Sequence, residues 1–326
     1  MRTNTPRTLV ISGVAAAALA LSGCASSPAA DDSASGLSIV ASTNVYGSIA
    51  ESIGGDLVTV TSLIDSAAQD PHSFEASAQD QLALSKADLV IENGGGYDPF
   101  IDTLLEASST EVPVVNASEA SGLLEGDHEH SDDEATDDEA TNDDDHEGHD
   151  HIEGFNEHVW YSLHGVGHVA EEIAQQLSEL DAGNAATYEE NLAAFTAQIE
   201  ELEATAEALH PATAGLGVAI TEPVPLYLLE AAGLSNKTPA DFSEAIEEGT
   251  DVAPAVLKET LALFTGTSVS LLAYNEQTAS SETEQVRKAA EDNGIPVVQF
   301  TETLPDGADY VSWMTENLSA ISAAVQ

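Results

Sequence analysis

The chain has 326 residues, 42% of them hydrophobic, which suits one large domain or two ordinary ones with sizeable cores. It carries 58 acidic residues against 7 Lys and Arg, a formal charge of -51, so its surface repels nucleic acid and anionic membranes and attracts cations. Cys24 is the only cysteine, which excludes an intrachain disulfide and any thiolate metal site built from this chain.

In chain order, Arg2 and Arg7 precede an apolar run, LVISGVAAAALALSG, and then Cys24. A basic start, a short apolar middle and small residues at a cut predict a signal peptide over 1–23. The run is too short and alanine-rich for a permanent span. LSGC (Leu21 to Cys24) resembles a bacterial lipobox, which implies cleavage before Cys24 and lipid attachment to its thiol. The small polar stretch that follows reads as a flexible tether over 24–36.

From Leu37 the pattern is α/β. LSIVAST, LVTVTSLI, DLVIENGG and VPVVNAS read as strands, and NVYGSIAESIGG, QDQLALSKA and PFIDTLLEAS as helices between them. Strands alternating with helices imply a parallel sheet covered on both faces. An acidic insert interrupts at 125–152, with His128 and His130 near its start and His146, His149 and His151 near its end. Nothing in it is apolar enough to build a core. HVWYSLHGVGHVAEEIAQQLSEL then starts a helix. A second, over 183–210, repeats Tyr188, Leu192, Phe195, Ile199, Leu202 and Leu209 at helical spacing and is predicted to be a rigid linker about 38 Å long. Beyond it LGVAIT, VSLLAYN and IPVVQFT read as strands. PVPLYLLEAAG, VAPAVLKETLALFTG, SETEQVRKAAEDNG and YVSWMTENLSAISAAV read as helices. The expected architecture is α/β: two lobes, 37–182 and 211–326, each with a parallel-type sheet flanked by helices and joined by that long helix.

Four places put a metal-type ligand in a loop or at a strand end: His72 in DPHSFEAS, His158 in NEHVWYS, Glu222 in AITEPVPLYLL and Glu302 in VVQFTETLP. In open parallel sheets ligands bind beyond the carboxyl ends of strands, so two sites from each lobe could meet in the cleft. Each residue alone also suits a satisfied loop histidine or a solvated glutamate. Asp70, Glu75, Glu157, His164 and His168 compete by residue type, and His164 and His168 stand four apart on an expected helix, a chelating spacing.

DPHSFEAS resembles the DPHxxEPS motif, and NEHVWYS the NPHVWLS motif, of the cluster A-I substrate-binding proteins of zinc and manganese ABC transporters. IENGGGYDPFIDTLLEAS, ITEPVPLYLLEAAGL and FTETLPDGADYVSWMTENLSAI resemble further segments of that family, in order, from about residue 38 to the C-terminus. The resemblance implies two α/β lobes bridged by a rigid helix, and it carries His72, His158, Glu222 and Glu302 across as metal ligands. Zinc-type members have histidine at the position of Glu222 and manganese-type members glutamate, while an aspartate usually stands at the position of Glu302. The family prolines are replaced by Glu157, Leu163 and Ala76, departures expected to alter loop stiffness more than chemistry.

The function implied is capture of Zn2+ or Mn2+ as transported ligand, without catalysis or organic cofactor, and delivery to the permease and ATPase of an ABC importer. The protein would sit extracytoplasmically, lipid-anchored through Cys24 to the outer face of the cytoplasmic membrane. Glu222 leans to manganese. The insert, whose five histidines could hold metal weakly, leans to zinc, and zinc is narrowly favoured. The rivals are a surface adhesin, which no residue supports directly, and a metallohydrolase. For the latter HEGHD (His146 to Asp150) has the wrong spacing.

Overall fold

The computed structural model describes residues 36–66, 69, 71, 74–108, 111–126, 152 and 154–326. Cys24, Asp70, His72 and the five histidines of the insert lie outside the described residues.

The first lobe runs β1 (Leu37–Thr43), α1 (Asn44–Gly54), β2 (Val58–Ile64), α2 (Ala78–Leu84), β3 (Leu89–Glu92), α3 (Phe100–Ala107), β4 (Val114–Asn116) and the short helices α4 (Ala117–Ala120) and α5 (Leu123–Gly126). After the insert come α6 (Leu163–Leu180) and α7 (Ala185–Thr213). The second lobe is β5 (Gly217–Ile220), α8 (Leu226–Ala231), β6 (Ser235–Asn236), α9 (Ala240–Glu247), α10 (Pro254–Ala262), β7 (Leu271–Asn275), α11 (Ser281–Asp292), β8 (Val297–Phe300) and α12 (Tyr310–Ala324). The two sheets have orders β2-β1-β3-β4 and β6-β5-β7-β8, and every pairing in them is parallel.

The strand sequences explain why both sheets are covered on both faces. Ile39 and Ala41 of β1 point into the core that α1, α6 and α7 close, while Val40 between them joins the outer layer of α2 and α3 with Leu84, Phe100 and Leu104. Val218 and Ile220 of β5 face the same central core, and Ala219 faces the outer layer with Phe242, Ile246 and Val286. Alternate residues of one apolar strand thus serve two layers, the arrangement that parallel sheets require.

The long helix α7 has 29 residues, about 44 Å at 1.5 Å per residue. Its buried Tyr188, Phe195, Ile199, Leu202 and Ala206 recur at three-, four- and seven-residue steps. They pack against α1 and α6 on one side of the molecule and against α8 and α12 on the other. The two lobes are also tied by hydrogen bonds. The Asn44 side chain donates to Leu304 O at 3.1 Å and accepts from Leu304 N–H at 3.0 Å. The Tyr161 hydroxyl donates to Thr301 O and the Tyr310 hydroxyl to Trp160 O, both at 2.7 Å.

Two sequence expectations need correction. The helix expected from His158 begins only at Leu163. Residues 159–161 form a single 3-10 turn, and the Ser162 hydroxyl caps the helix by accepting from Gly165 N–H. In addition, residues 235–247, to which the sequence reading assigned no element, form the edge strand β6 and the helix α9.

Candidate metal centre

Both sheets reverse their strand order beside the first strand, between β1 and β3 and between β5 and β7. Loops diverge at such a point and leave a crevice at the carboxyl ends. The candidate ligands of the second lobe lie there: Glu222 two residues after β5 and Glu302 two residues after β8. Both are buried, 3% and 1% exposed.

Their carboxylates are held from behind. Thr278 donates to Glu222 Oε2 at 2.5 Å. Asn275 Nδ2 donates to Glu302 Oε1 at 2.8 Å, and the Glu302 backbone N–H donates to Gln277 Oε1 at 2.6 Å. The fourth contact crosses the cleft: the Tyr97 hydroxyl donates to Glu302 Oε2 at 3.2 Å. Tyr97 is placed by the GGG turn after β3, where Gly94, Gly95 and Gly96 have φ of 70°, 66° and 98°. A Cβ on Gly94 would stand 2.2 Å from Asn116 Nδ2, so that turn needs glycine for space as well as for its left-handed backbone.

His158, fully buried, closes the first-lobe side. Its ring lies edge-on to Trp160, with centroids 5.1 Å apart, and to Tyr97, at 5.8 Å. Asn156 sets its tautomer. Asn156 Nδ2 donates to Pro223 O at 3.1 Å, which leaves Oδ1 facing His158 Nδ1 at 2.8 Å. That oxygen accepts the Nδ1 proton, so the imidazole lone pair sits on Nε2. Fixing one ring nitrogen to orient the other is how metal-binding histidines are commonly prepared.

Among the described residues, the metal-type ligands that cluster most closely differ from the expected ones. One ligand atom each from Glu157, His158 and Glu247 lie within 4.8 Å of one another. Glu247 Oε1 is 3.6 Å from His158 Nδ1 and has no hydrogen-bond partner among the described residues. Its carboxyl group is pushed far above the usual carboxylate range, first by burial and then by the charges of Glu157, Glu222 and Glu302. Glu157 is 3% exposed. The departure from the family motif at Glu157 is therefore one of chemistry as well as loop stiffness, since it adds a carboxylate to this group. Glu247 escaped the sequence reading because α9 did. The available signal was an acid pair, Glu247 and Glu248, at the C-terminal end of an amphipathic turn, where helix polarity disfavours negative charge.

The other competitors stand apart. Glu75 is exposed, and His164 and His168 are 79% and 44% exposed on α6, with ring centroids 4.8 Å apart. His164 lies 3.8 Å from Glu203 of α7, and His168 3.3 Å from Glu171 on its own helix.

The donor set fits a divalent cation. Glu157, His158 and Glu247 cluster in the cleft, and the buried Glu222 and Glu302 lie near enough for their charges to act on Glu247. The Lys and Arg ion pairs among the described residues, Arg287 with Glu284 and Lys288 with Asp292, lie on α11. Buried like charges repel unless protonated or bridged by a cation.

A family model described as zinc-uptake complex component A, periplasmic, matches residues 39–324. The chain is 28% identical over 319 residues to the manganese ABC transporter substrate-binding lipoprotein scaA of Streptococcus gordonii, covering 93% of each chain. Its fold is similar to that of the substrate-binding protein FpvC of Pseudomonas aeruginosa in complex with Mn2+, with a TM-score of 0.69, 23% identity and coverage of 89% and 98%. It is also similar to the periplasmic zinc-binding protein TroA of Treponema pallidum, with a TM-score of 0.69, 18% identity and coverage of 89% and 99%.

Proposed function

Because the chain belongs to the family of the periplasmic zinc-uptake complex component A, a family of metal ABC transporter substrate-binding proteins, we propose that it captures one divalent transition-metal ion between its lobes and hands it to an ABC importer. The observation that supports this reading is Tyr97, whose ring lies 5.8 Å from that of the fully buried His158 and whose hydroxyl donates to the buried Glu302 of the opposite lobe at 3.2 Å. His72 is the fourth ligand on this reading, carried by its motif. A shell built from protein donors holds an ion and leaves no open position for a water nucleophile. The proposed partners are a membrane permease and its ATPase. The proposed place is the outer face of the cytoplasmic membrane, with the lipid on Cys24.

The cargo is Mn2+ or Zn2+. Zinc would bind more tightly to most nitrogen and oxygen sites at equal free concentration, whereas carboxylates suit manganese. The lean to zinc rested on the histidines of the insert. The described donors lean the other way, as does the relative named for manganese. Elemental analysis of the mature protein purified without added metal, followed by competition between the two ions, tests the reading. A protein that binds neither ion at about one per chain overturns it.

A further inference from the structure

Helix α9 places its acids where helix electrostatics disfavours them. The C-terminal end of a helix carries partial negative charge, so a carboxylate there is unfavourable. Yet α9 ends on Glu247, followed by Glu248, and the charges acting on Glu247 are all carboxylates. Local rules broken with no structural gain mark functional positions.

The packing of α9 dictates where Glu247 points. Phe242 and Ile246 bury into the outer core of the second sheet. Ser243, one turn before Glu247, is buried as well, and both line a cavity of about 500 Å³ that also includes Asn156 and Glu157. Glu244 and Glu248 line the same cavity and are exposed. The Glu247 carboxylate is 12% exposed, and its Oε1 lies 3.6 Å from His158 Nδ1, beside the imidazole edge that Asn156 holds.

We propose that Glu247 is a further metal ligand, delivered by α9 beside Glu157 and His158 to the ion captured between the lobes, and that it biases the site toward manganese. The proposal rests on the metal-capture reading above. Ligand bonds to such ions are about 2.0–2.2 Å, so donors on opposite sides of one ion stand about 4.4 Å apart. The 4.8 Å span of the Glu157, His158 and Glu247 atoms needs to shrink by only a few tenths of an ångström. Closed zinc sites are almost always four-coordinate, whereas manganese favours octahedral, oxygen-rich shells. An additional carboxylate therefore adds more to manganese binding than to zinc binding.

The test compares Glu247→Gln, which keeps the shape and removes the charge, with Asp241→Asn on the exposed first turn of the same helix. Affinities for Mn2+ and Zn2+ are measured by chelator competition, and the manganese shell by X-ray absorption. Glu247→Gln should weaken manganese at least about tenfold, weaken zinc several-fold less, and remove one oxygen donor from the shell. Asp241→Asn should match the parent. Affinities within about twofold of the parent, or an equal loss for both ions with an unchanged shell, overturn the proposal. So does a shell of four donors or fewer in the manganese-loaded parent, a measurement that stands even if the variant fails to fold. If Glu222→Ala and Glu302→Ala also bind like the parent, the capture reading itself fails. If they lose binding while Glu247→Gln keeps it, only the role of Glu247 falls.

Discussion

Oδ1 of Asn156 accepts from both the backbone N–H of His158, at 3.1 Å, and its Nδ1, at 2.8 Å. The same side chain reaches Pro223 O of the other lobe, and Tyr227 donates to the Asn156 carbonyl at 2.9 Å. One residue therefore orients the imidazole and registers the two lobes. Asn156→Ala should weaken metal binding by about 10–100-fold, the usual cost of losing an outer partner of a ligating histidine, with the fold intact. Chelator competition beside circular dichroism measures it. Parent-like affinity would show that the ring needs no such support.

Glu222 is expected to decide selectivity as well as affinity. Glu222→Ala removes a ligand and a neutralising charge together and should hurt both ions. Glu222→His replaces a hard oxygen by a nitrogen and should shift the zinc-to-manganese ratio toward zinc. His164→Ala serves as control and should leave tight binding alone, because that ring is mostly exposed on α6. An unchanged ratio in Glu222→His would remove Glu222 from the site.

Metal binding should expel protons. Burial and neighbouring carboxylates raise the pKa of Glu247, so in the metal-free protein its carboxyl group keeps its proton to higher pH than an ordinary glutamate. A cation in the cleft favours the ionised form, so apparent affinity should rise with pH. Calorimetry in buffers of different ionisation enthalpy would show it as a buffer-dependent heat. A heat independent of buffer would contradict the expectation.

The metal-free protein should lose stability as pH rises. Burial pushes Glu92 from 4.5 to about 7 and Asp98 from 3.8 to about 6, in each case against hydrogen bonds that lower it. Groups whose folded pKa is raised contribute stability that is fully present below the unfolded value and lost as pH passes through the folded value. The melting temperature should therefore fall by a few degrees, on the order of 2–4 °C per kcal/mol for a large domain, between about pH 4 and 7. Glu92→Gln should flatten the profile. A parent whose melting temperature climbs across that window would refute the assignment.

Loading should change the overall dimensions little. The helix α7 packs on both lobes, and Asn44, Tyr161 and Tyr310 hydrogen-bond across them. Small-angle scattering with and without metal should give nearly equal radii of gyration, and a large contraction would point to a hinge.

The fold was largely legible because short apolar strands alternating with helices and the stepped residues Tyr188, Phe195, Ile199 and Leu202 leave few alternatives. Glu222 and Glu302 were legible as acids at strand ends, where crevices form. The short α9 was not, since Pro239, Gly249 and scattered acids obscure an eight-residue helix whose burial depends on the sheet it covers. Glu247 went with it. The support given by Asn156 and Tyr97 was equally hidden, since it depends on contacts across the cleft between residues up to 205 positions apart.

The closing helix α12 meets the opening one: Tyr310 N–H donates to the Ser48 hydroxyl, 262 positions away in the chain. Glu302 precedes that helix by only a few residues. During synthesis the first sheet can assemble early, but the seam and the last carboxylate arrive at the end. A chain that folds from its N-terminus as it emerges would thus be unable to complete this cleft until nearly all of it was available.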